Sequence, residues 1–211
     1  ASDVYKRQAA DGAGNEIEFA GHYYLRGAEM NAYSLSVFTD WSDNFSTEVR
    51  YAVNDVDFTQ TPSGGLVFGE FRVETDDVDV YFGSDDSRQA NDLDYTITNF
   101  ALKGSLVVDG HTFTFGFENE NYDVYNLFYQ HALTEIRFGS LDDFEAGIGR
   151  VYYGNHFTHN SDLVGDYLDY DVNALYLMDE FSLNEKTNVV LGLRYESVSY
   201  THLRAHETSN H

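Results

Sequence analysis

Three sets of residues in this 211-residue chain are of types that could do chemistry. The first is acidic. The run from Glu74 to Asp79, and the group Asp85, Asp86, Asp92 and Asp94, could offer oxygen ligands to Ca2+. Neither follows the D-x-[DN]-x-[DN]-G spacing of a calcium loop, so both read as solvated loop surface. The second set is His202 and His206, spaced i, i+4, which on a helix would turn two imidazoles toward one metal. No third ligand stands near them in sequence. The third set is Glu48, Arg50, Asp179, Arg194 and Glu196, charges expected to share one strand face and to pair there. No Ser/His/Asp arrangement, glycine-rich phosphate loop or pair of carboxylates placed for hydrolysis occurs. The chain therefore reads as no enzyme, with no catalytic, cofactor-binding or metal residue expected, and with no cofactor. The substrate-binding residues stay unassigned.

The elements that would hold these residues follow from composition. There are 17 Tyr and 16 Phe against one Trp and one Pro. Aromatic side chains suit a pleated, half-buried surface, and scarce proline leaves hydrogen-bond ladders unbroken. An all-β chain is expected. Without cysteine there is neither a disulfide nor a thiolate site. No apolar run reaches the length of a membrane helix, but transmembrane strands leave no such run. The net charge of −24 repels nucleic-acid phosphates, so nucleic acid is not an expected partner.

Alternation with period two sets in from about residue 30. Phe45, Thr47, Val49, Tyr51 and Val53 share one face against Ser46, Glu48, Arg50 and Ala52. Phe113, Phe115 and Phe117 share another. Val189, Leu191, Leu193 and Tyr195 oppose Val190, Gly192, Arg194 and Glu196. Val172, Ala174, Tyr176 and Met178 line up in the preceding run. Short connections at 41–44, 108–110 and 182–187 interleave with long acidic ones near 55–65, 84–93 and 155–168. That rhythm suits a meander spanning a membrane. One helical turn is expected near 140–146, with Ser140 as N-cap, Asp142 and Asp143 at its positive start and Gly147 at its end. The ends, 1–8 and 198–211, break the pattern and resemble translated sequencing-adapter read-through. They are expected to lie outside the native domain of residues 9–197.

Alternation alone fits either a membrane barrel or a soluble sandwich. Three stretches add a resemblance. Asp109-Gly-His-Thr-Phe-Thr-Phe-Gly-Phe117 is similar to a turn and strand common in TonB-dependent receptor barrels. Val124-Tyr-Asn-Leu-Phe128, leading to Ile136-Arg-Phe-Gly-Ser-Leu-Asp-Asp-Phe144, resembles that family's aromatic strand and "F-S-x-D-D-F" turn. Val172-Asn-Ala-Leu-Tyr-Leu-Met-Asp-Glu-Phe181, followed by Val189-Val-Leu-Gly-Leu-Arg-Tyr-Glu196, resembles its "Y-x-Q-D-E-W … L-x-L-G-L-R-Y-D" hairpin. Met178, Phe181 and Glu196 depart from it. The likeness is to the Oar-like branch of these outer-membrane receptors.

The resemblance implies an antiparallel up-and-down transmembrane β-barrel fragment, an open curved sheet of eight to ten strands. It implies energised uptake of a scarce substrate (a siderophore, cobalamin or glycan) across the bacterial outer membrane. The partners implied are outer-membrane lipid, a plug domain and, through the plug, TonB. No TonB box, plug or closing strand is recognisable in the chain. Phe113, Phe115, Phe117, Val189, Leu191 and Leu193 would face lipid. Glu48, Arg50, Arg194 and Glu196 would face the lumen. Tyr23, Tyr24, Tyr152, Tyr153 and Tyr176 would form interfacial girdles. The competing expectation is a soluble, acidic, secreted β-domain with a structural or adhesive role.

Overall fold

The structure, a computed structural model, describes residues 5–6 and 15–203. Among them the strands are, in chain order, β1 (Tyr5–Lys6), β2 (Glu16–Glu18), β3 (Tyr24–Ser42), β4 (Phe45–Pro62), β5 (Glu70–Glu74), β6 (Asp79–Gly83), β7 (Asn91–Val108), β8 (His111–Phe128), β9 (Glu135–Phe138), β10 (Arg150–Tyr152), β11 (Asp166–Asn184) and β12 (Thr187–Leu203). One helical segment, α1 (Leu141–Ala146), and two 3-10 turns complete the chain. The protein is all-β.

Seven strands form one open sheet in the order β1-β3-β4-β7-β8-β11-β12. The long strands succeed one another in up-and-down order. Three tight turns, at 43–44, 109–110 and 185–186, make the hairpins expected from the short connections. Asp109 and Gly110 have φ of 51° and 83°, the paired positive angles of a turn whose twist matches its flanking strands. At 17 to 19 residues these strands are far longer than the usual 3–10.

The long connections, together with β2 ahead of the first long strand, carry a second sheet, ordered β10-β9-β5-β6-β2. Two of its pairings are parallel, β2 with β6 and β5 with β9. The open antiparallel sheet is as expected but has seven strands among the described residues where eight to ten were expected, and the long connections are not plain loops but carry short strands, two pairs of them parallel. The physical reason is that each connecting strand is only three to five residues long and finds its partner far away in sequence. The stretch 55–62, expected as loop, instead continues β4.

The chain divides into two compact units. The second comprises Met30–Val56, Tyr95–Val124 and Tyr167–His211. Its sheet has two chemically distinct faces. On one, Arg194 bonds Glu118 at 2.7 Å and Glu196 at 2.6 Å, with its guanidinium over the Tyr176 ring. Glu48, Arg50, Lys103 and Glu120 share that face by alternation. The other carries Phe100 against Phe117 and the apolar ladder Leu175/Tyr195 and Leu177/Leu193. Polar pairs bound this ladder: His111 with Asp179 at 3.0 Å toward the tight turns, and Asn119 with Asn173 at the other end. Asp179 therefore belongs to the apolar face, opposite Leu191, and not to the charged face where it was expected. Strand parity decides this, because Asp179 is an odd number of residues from both Arg194 and Glu196 once the hairpin register is applied.

The first unit comprises Ala1–Glu29, Asp57–Asp94 and Tyr125–Asp166. Its small sheet packs Phe71, Phe82 and Phe138 together, with Phe71 and Phe82 stacked at 4.9 Å. Phe144 of α1 closes edge-on over Phe82 and Phe138. The helix is capped as the residues predict. Ser140 Oγ accepts the Asp143 N–H at 3.0 Å, and Gly147 adopts φ 71°. At the C-terminal side, 198–203 do not break from the pattern as expected but continue β12, with Val198 opposite Val172. Backbone pairing tolerates any side chain able to extend, so composition did not mark that boundary. Tyr5 and Lys6 pair with β3. The remaining end residues, 1–4, 7–14 and 204–211, lie outside the described residues.

Candidate functional site

On the opposite side of the small sheet from its phenylalanines, five titratable side chains from four segments converge. Glu70 opens β5, fixed by its N–H to the Thr134 carbonyl at 3.0 Å and paired directly with Glu135 of β9. Parallel pairing thus sets two glutamates side by side on one face. Asp86 begins a 3-10 turn capped by Asp85, whose carboxylate accepts the Ser87 N–H at 2.8 Å. The Asp86 N–H donates to Glu70 Oε2 at 2.9 Å. His131 stands in a left-handed bend, φ 61°, after β8 and donates its backbone N–H to Asp86 Oδ1 at 2.6 Å. His22 occupies the turn between β2 and β3, held by its N–H to Phe19 at 2.9 Å.

Gln89 locks these segments together. It is buried, donates to the carbonyls of Ser84 and Thr134, and accepts the Leu133 N–H at 2.8 Å. Because one side chain spans both long connections, the positions of Asp86 and His131 are mutually fixed.

The site is dry and short of positive charge. Glu70, Asp86 and Glu135 are 6%, 8% and 2% exposed, and His22 is 5% exposed. Among the described residues, Arg137 is the one guanidinium bonded to these carboxylates: it grips Glu135 with two nitrogens and lies over the Tyr152 ring at 4.6 Å. Burial pushes the Glu70 carboxyl up to about 8; the neighbouring Glu135, Asp86 and Asp85 add to this, against the Asp86 N–H, which favours the anion. Burial raises Asp86 also, with His131 opposing. The His22 imidazole is lowered by burial, with Asp85 opposing. His131 Nδ1 lies 2.8 Å from Asp86 and 3.3 Å from Glu135. Asp86, His131 and Glu135 bring one ligand atom each to within 4.8 Å of the others, a set able to hold a metal ion.

The residues singled out in sequence distribute differently. Asp86 is buried here and not solvated as expected, because its backbone and carboxylate are both taken up by the core of the site. The Glu74–Asp79 run forms the β5–β6 turn, closed by Thr75 and Val78, with Arg72 on Asp79 at 2.6 Å. Asp92 and Asp94 belong to β7. His202 lies in β12 opposite Asp169, and His206 is outside the described residues. The expected girdle tyrosines divide between the two units. Tyr24 is buried under Arg88, Tyr152 carries Arg137, Tyr153 bonds His159, Tyr176 lies on the charged face, and Tyr23 precedes β3. Arginines claim three of these rings, which strand parity alone could not foretell. His22, Glu70, His131 and Glu135 were missed in sequence; the only local sign was the i, i+4 spacing of His131 and Glu135. No protein family, curated protein or solved structure matches the chain.

Proposed function

We propose that this chain is part of the barrel wall of an outer-membrane TonB-dependent receptor, serving energised uptake of a siderophore, cobalamin or glycan. One observation carries the membrane part of this reading. The second unit presents a broad apolar face to its surroundings, with Leu193 79% and Tyr195 68% exposed. Soluble proteins rarely leave contiguous apolar patches beyond a few hundred Å2 bare. Along β11 the uncharged span from Asn173 to Asp179 is about 20 Å, comparable with the ~25 Å apolar band of such barrels. Tyr33, Trp41 and Tyr51 are exposed on the same face and suit an interfacial girdle. Tight turns at one end and long connections at the other agree with periplasmic turns and extracellular loops.

The receptor part of the reading rests on the resemblance of the 109–117, 124–144 and 172–196 stretches. It brings with it the plug domain and TonB as partners, and the outer membrane as location. The charged face, with Arg194 between Glu118 and Glu196, then lines a hydrated lumen.

Adjacent residues on opposite faces make the test direct. Nitroxide labels at Leu193 and Arg194 are compared in reconstituted bilayers. The 193 label is expected to respond to a lipid-soluble relaxant and the 194 label to a water-soluble one. A soluble secreted domain with an adhesive role predicts that neither label meets lipid, and that result overturns the proposal.

A further inference from the structure

We propose that Asp86, His131 and Glu135 form a binding site for a single divalent transition metal of the Zn2+ type, with His22 and Glu70 as the outer pair that holds it in place. This inference goes beyond the receptor reading and does not depend on it.

Distances favour such an ion. Ligand atoms at about 2.0–2.2 Å from a tetrahedral Zn2+ stand about 3.3–3.6 Å from one another. His131 Nδ1 is 2.8 Å from the Asp86 carboxylate and 3.3 Å from that of Glu135. The His131–Glu135 spacing therefore already matches, the His131–Asp86 spacing is somewhat shorter, and all three ligand atoms lie within 4.8 Å of one another. Arg137 bonds the same Glu135 Oε2 that faces His131, and the His131 N–H bonds the same Asp86 Oδ1, so each oxygen is held in position and would share its charge between that donor and the ion.

Two buried nitrogens point the same way. The Nδ1 atoms of His22 and His131 are both enclosed; that of His22 makes no hydrogen bond, and that of His131 meets only the Asp86 carboxylate, at 2.8 Å, and that of Glu135. His22 is 5% exposed, and its Nδ1 faces Glu70 Oε2 at 3.6 Å, the same oxygen that receives the Asp86 N–H. A buried imidazole nitrogen without a partner costs free energy comparable to a lost hydrogen bond. A bound cation changes the balance. It takes the His131 lone pair directly and draws the carboxylates of Asp86 and Glu135 into its shell. The second imidazole–carboxylate pair, His22 with Glu70, then supports the Asp86 ligand through its backbone N–H, as outer groups commonly do at metal sites.

The donor set selects the class of ion. Two carboxylates and one imidazole suit Zn2+, Mn2+ or Fe2+. Ca2+ seeks six to eight oxygens and makes no use of an imidazole, and Mg2+ holds its waters in preference to nitrogen. The chain's net charge of −24 attracts every cation loosely, so specificity and stoichiometry must carry the test.

The full chain is titrated with Zn2+, and with Co2+ as a visible-spectrum probe, after treatment with chelator. One tight equivalent is expected, with Co2+ bands of a four- or five-coordinate centre and a raised unfolding midpoint that equal Ca2+ does not produce. Asp86→Asn and His131→Gln are each expected to weaken binding at least tenfold. Asp77→Asn, in the exposed β5–β6 turn, should leave it unchanged. Should either site variant misfold, X-ray absorption at the zinc edge of the unmutated chain still decides, with at least one imidazole expected among the ligands. Non-saturable binding, equal loss in Asp77→Asn, an equal effect of Ca2+, or oxygen-only coordination overturns the proposal and leaves a metal-free cluster of buried acids and imidazoles.

Discussion

Leu193→Arg is the most demanding perturbation of the membrane reading. Leu193 stands opposite Leu177 on β11 and between Leu191 and Tyr195 on its own face. It is a better site than Leu191, because Leu191 opposes Asp179 and a new arginine there would find a carboxylate. At 193 the guanidinium has no charge directly across from it. If the face meets hydrocarbon, arginine near the midplane costs about 2–4 kcal/mol, a thirtyfold to several-hundredfold fall in the folded population. If the face meets water, an exposed Leu→Arg change stays within about 0.5 kcal/mol and improves solubility. The single tryptophan supplies the assay. Trp41 is exposed on the same face, so its emission reports insertion as the chain is folded into vesicles across a urea series. A midpoint in Leu193→Arg equal to that of the unmodified chain would refute the reasoning.

Other consequences follow from particular contacts. A Cβ at Gly116 would stand 2.5 Å from both the Leu102 carbonyl oxygen and the Tyr176 hydroxyl, whereas the nearest atoms to one at Gly104 belong to the Phe115 ring, at 2.6 Å. Gly116→Ala should therefore lower the urea midpoint more than Gly104→Ala, since a ring can swing aside and a ladder carbonyl cannot. Ser140→Ala removes the cap of α1 and should cost about 1 kcal/mol, read as faster hydrogen exchange at the Asp143 amide. Glu70 keeps its proton in the folded chain up to about pH 8 and loses it near 4.5 when unfolded. Its stabilising contribution is thus full below about 4.5 and is lost as pH rises toward 8. In chelator, the stability difference between the unmodified chain and Glu70→Gln should shrink or reverse over that interval, by up to about 5 kcal/mol. A pH-independent difference would show that the carboxyl is ionised throughout.

What could be read from sequence was local. Asp109-Gly110 announces its own hairpin, Ser140 and Gly147 bracket their own helix, and the 189–196 alternation sorts its side chains without reference to anything distant. The small sheet left no such trace. Glu135–Phe138 is four residues long, too short for a period to register, and its partner β5 lies across two hairpin strands of sequence. The candidate metal site inherits that difficulty. Asp86 reads as one more acid in an acidic loop, and His22 as an isolated histidine; only the parallel pairing of Glu70 with Glu135 brings their neighbourhoods together. Asp179 shows the complementary failure. Its charge suggested the lumen, but parity placed it on the apolar face, where His111 answers it.

The parallel pairings β2–β6 and β5–β9 also order events in time. A two-residue hairpin closes within microseconds and needs only its own strands, so the 43–44, 109–110 and 185–186 turns can zip independently. The small sheet has no such freedom. Its β5–β6 centre forms locally, but β9 and β10 emerge only after the whole of β7 and β8. Joining them means closing a long loop before any contact is gained, the kind of step that slows folding. His131 and Glu135 arrive with that late segment, so a metal ion meeting the nascent chain would find no complete ligand set until the hairpins between had been made.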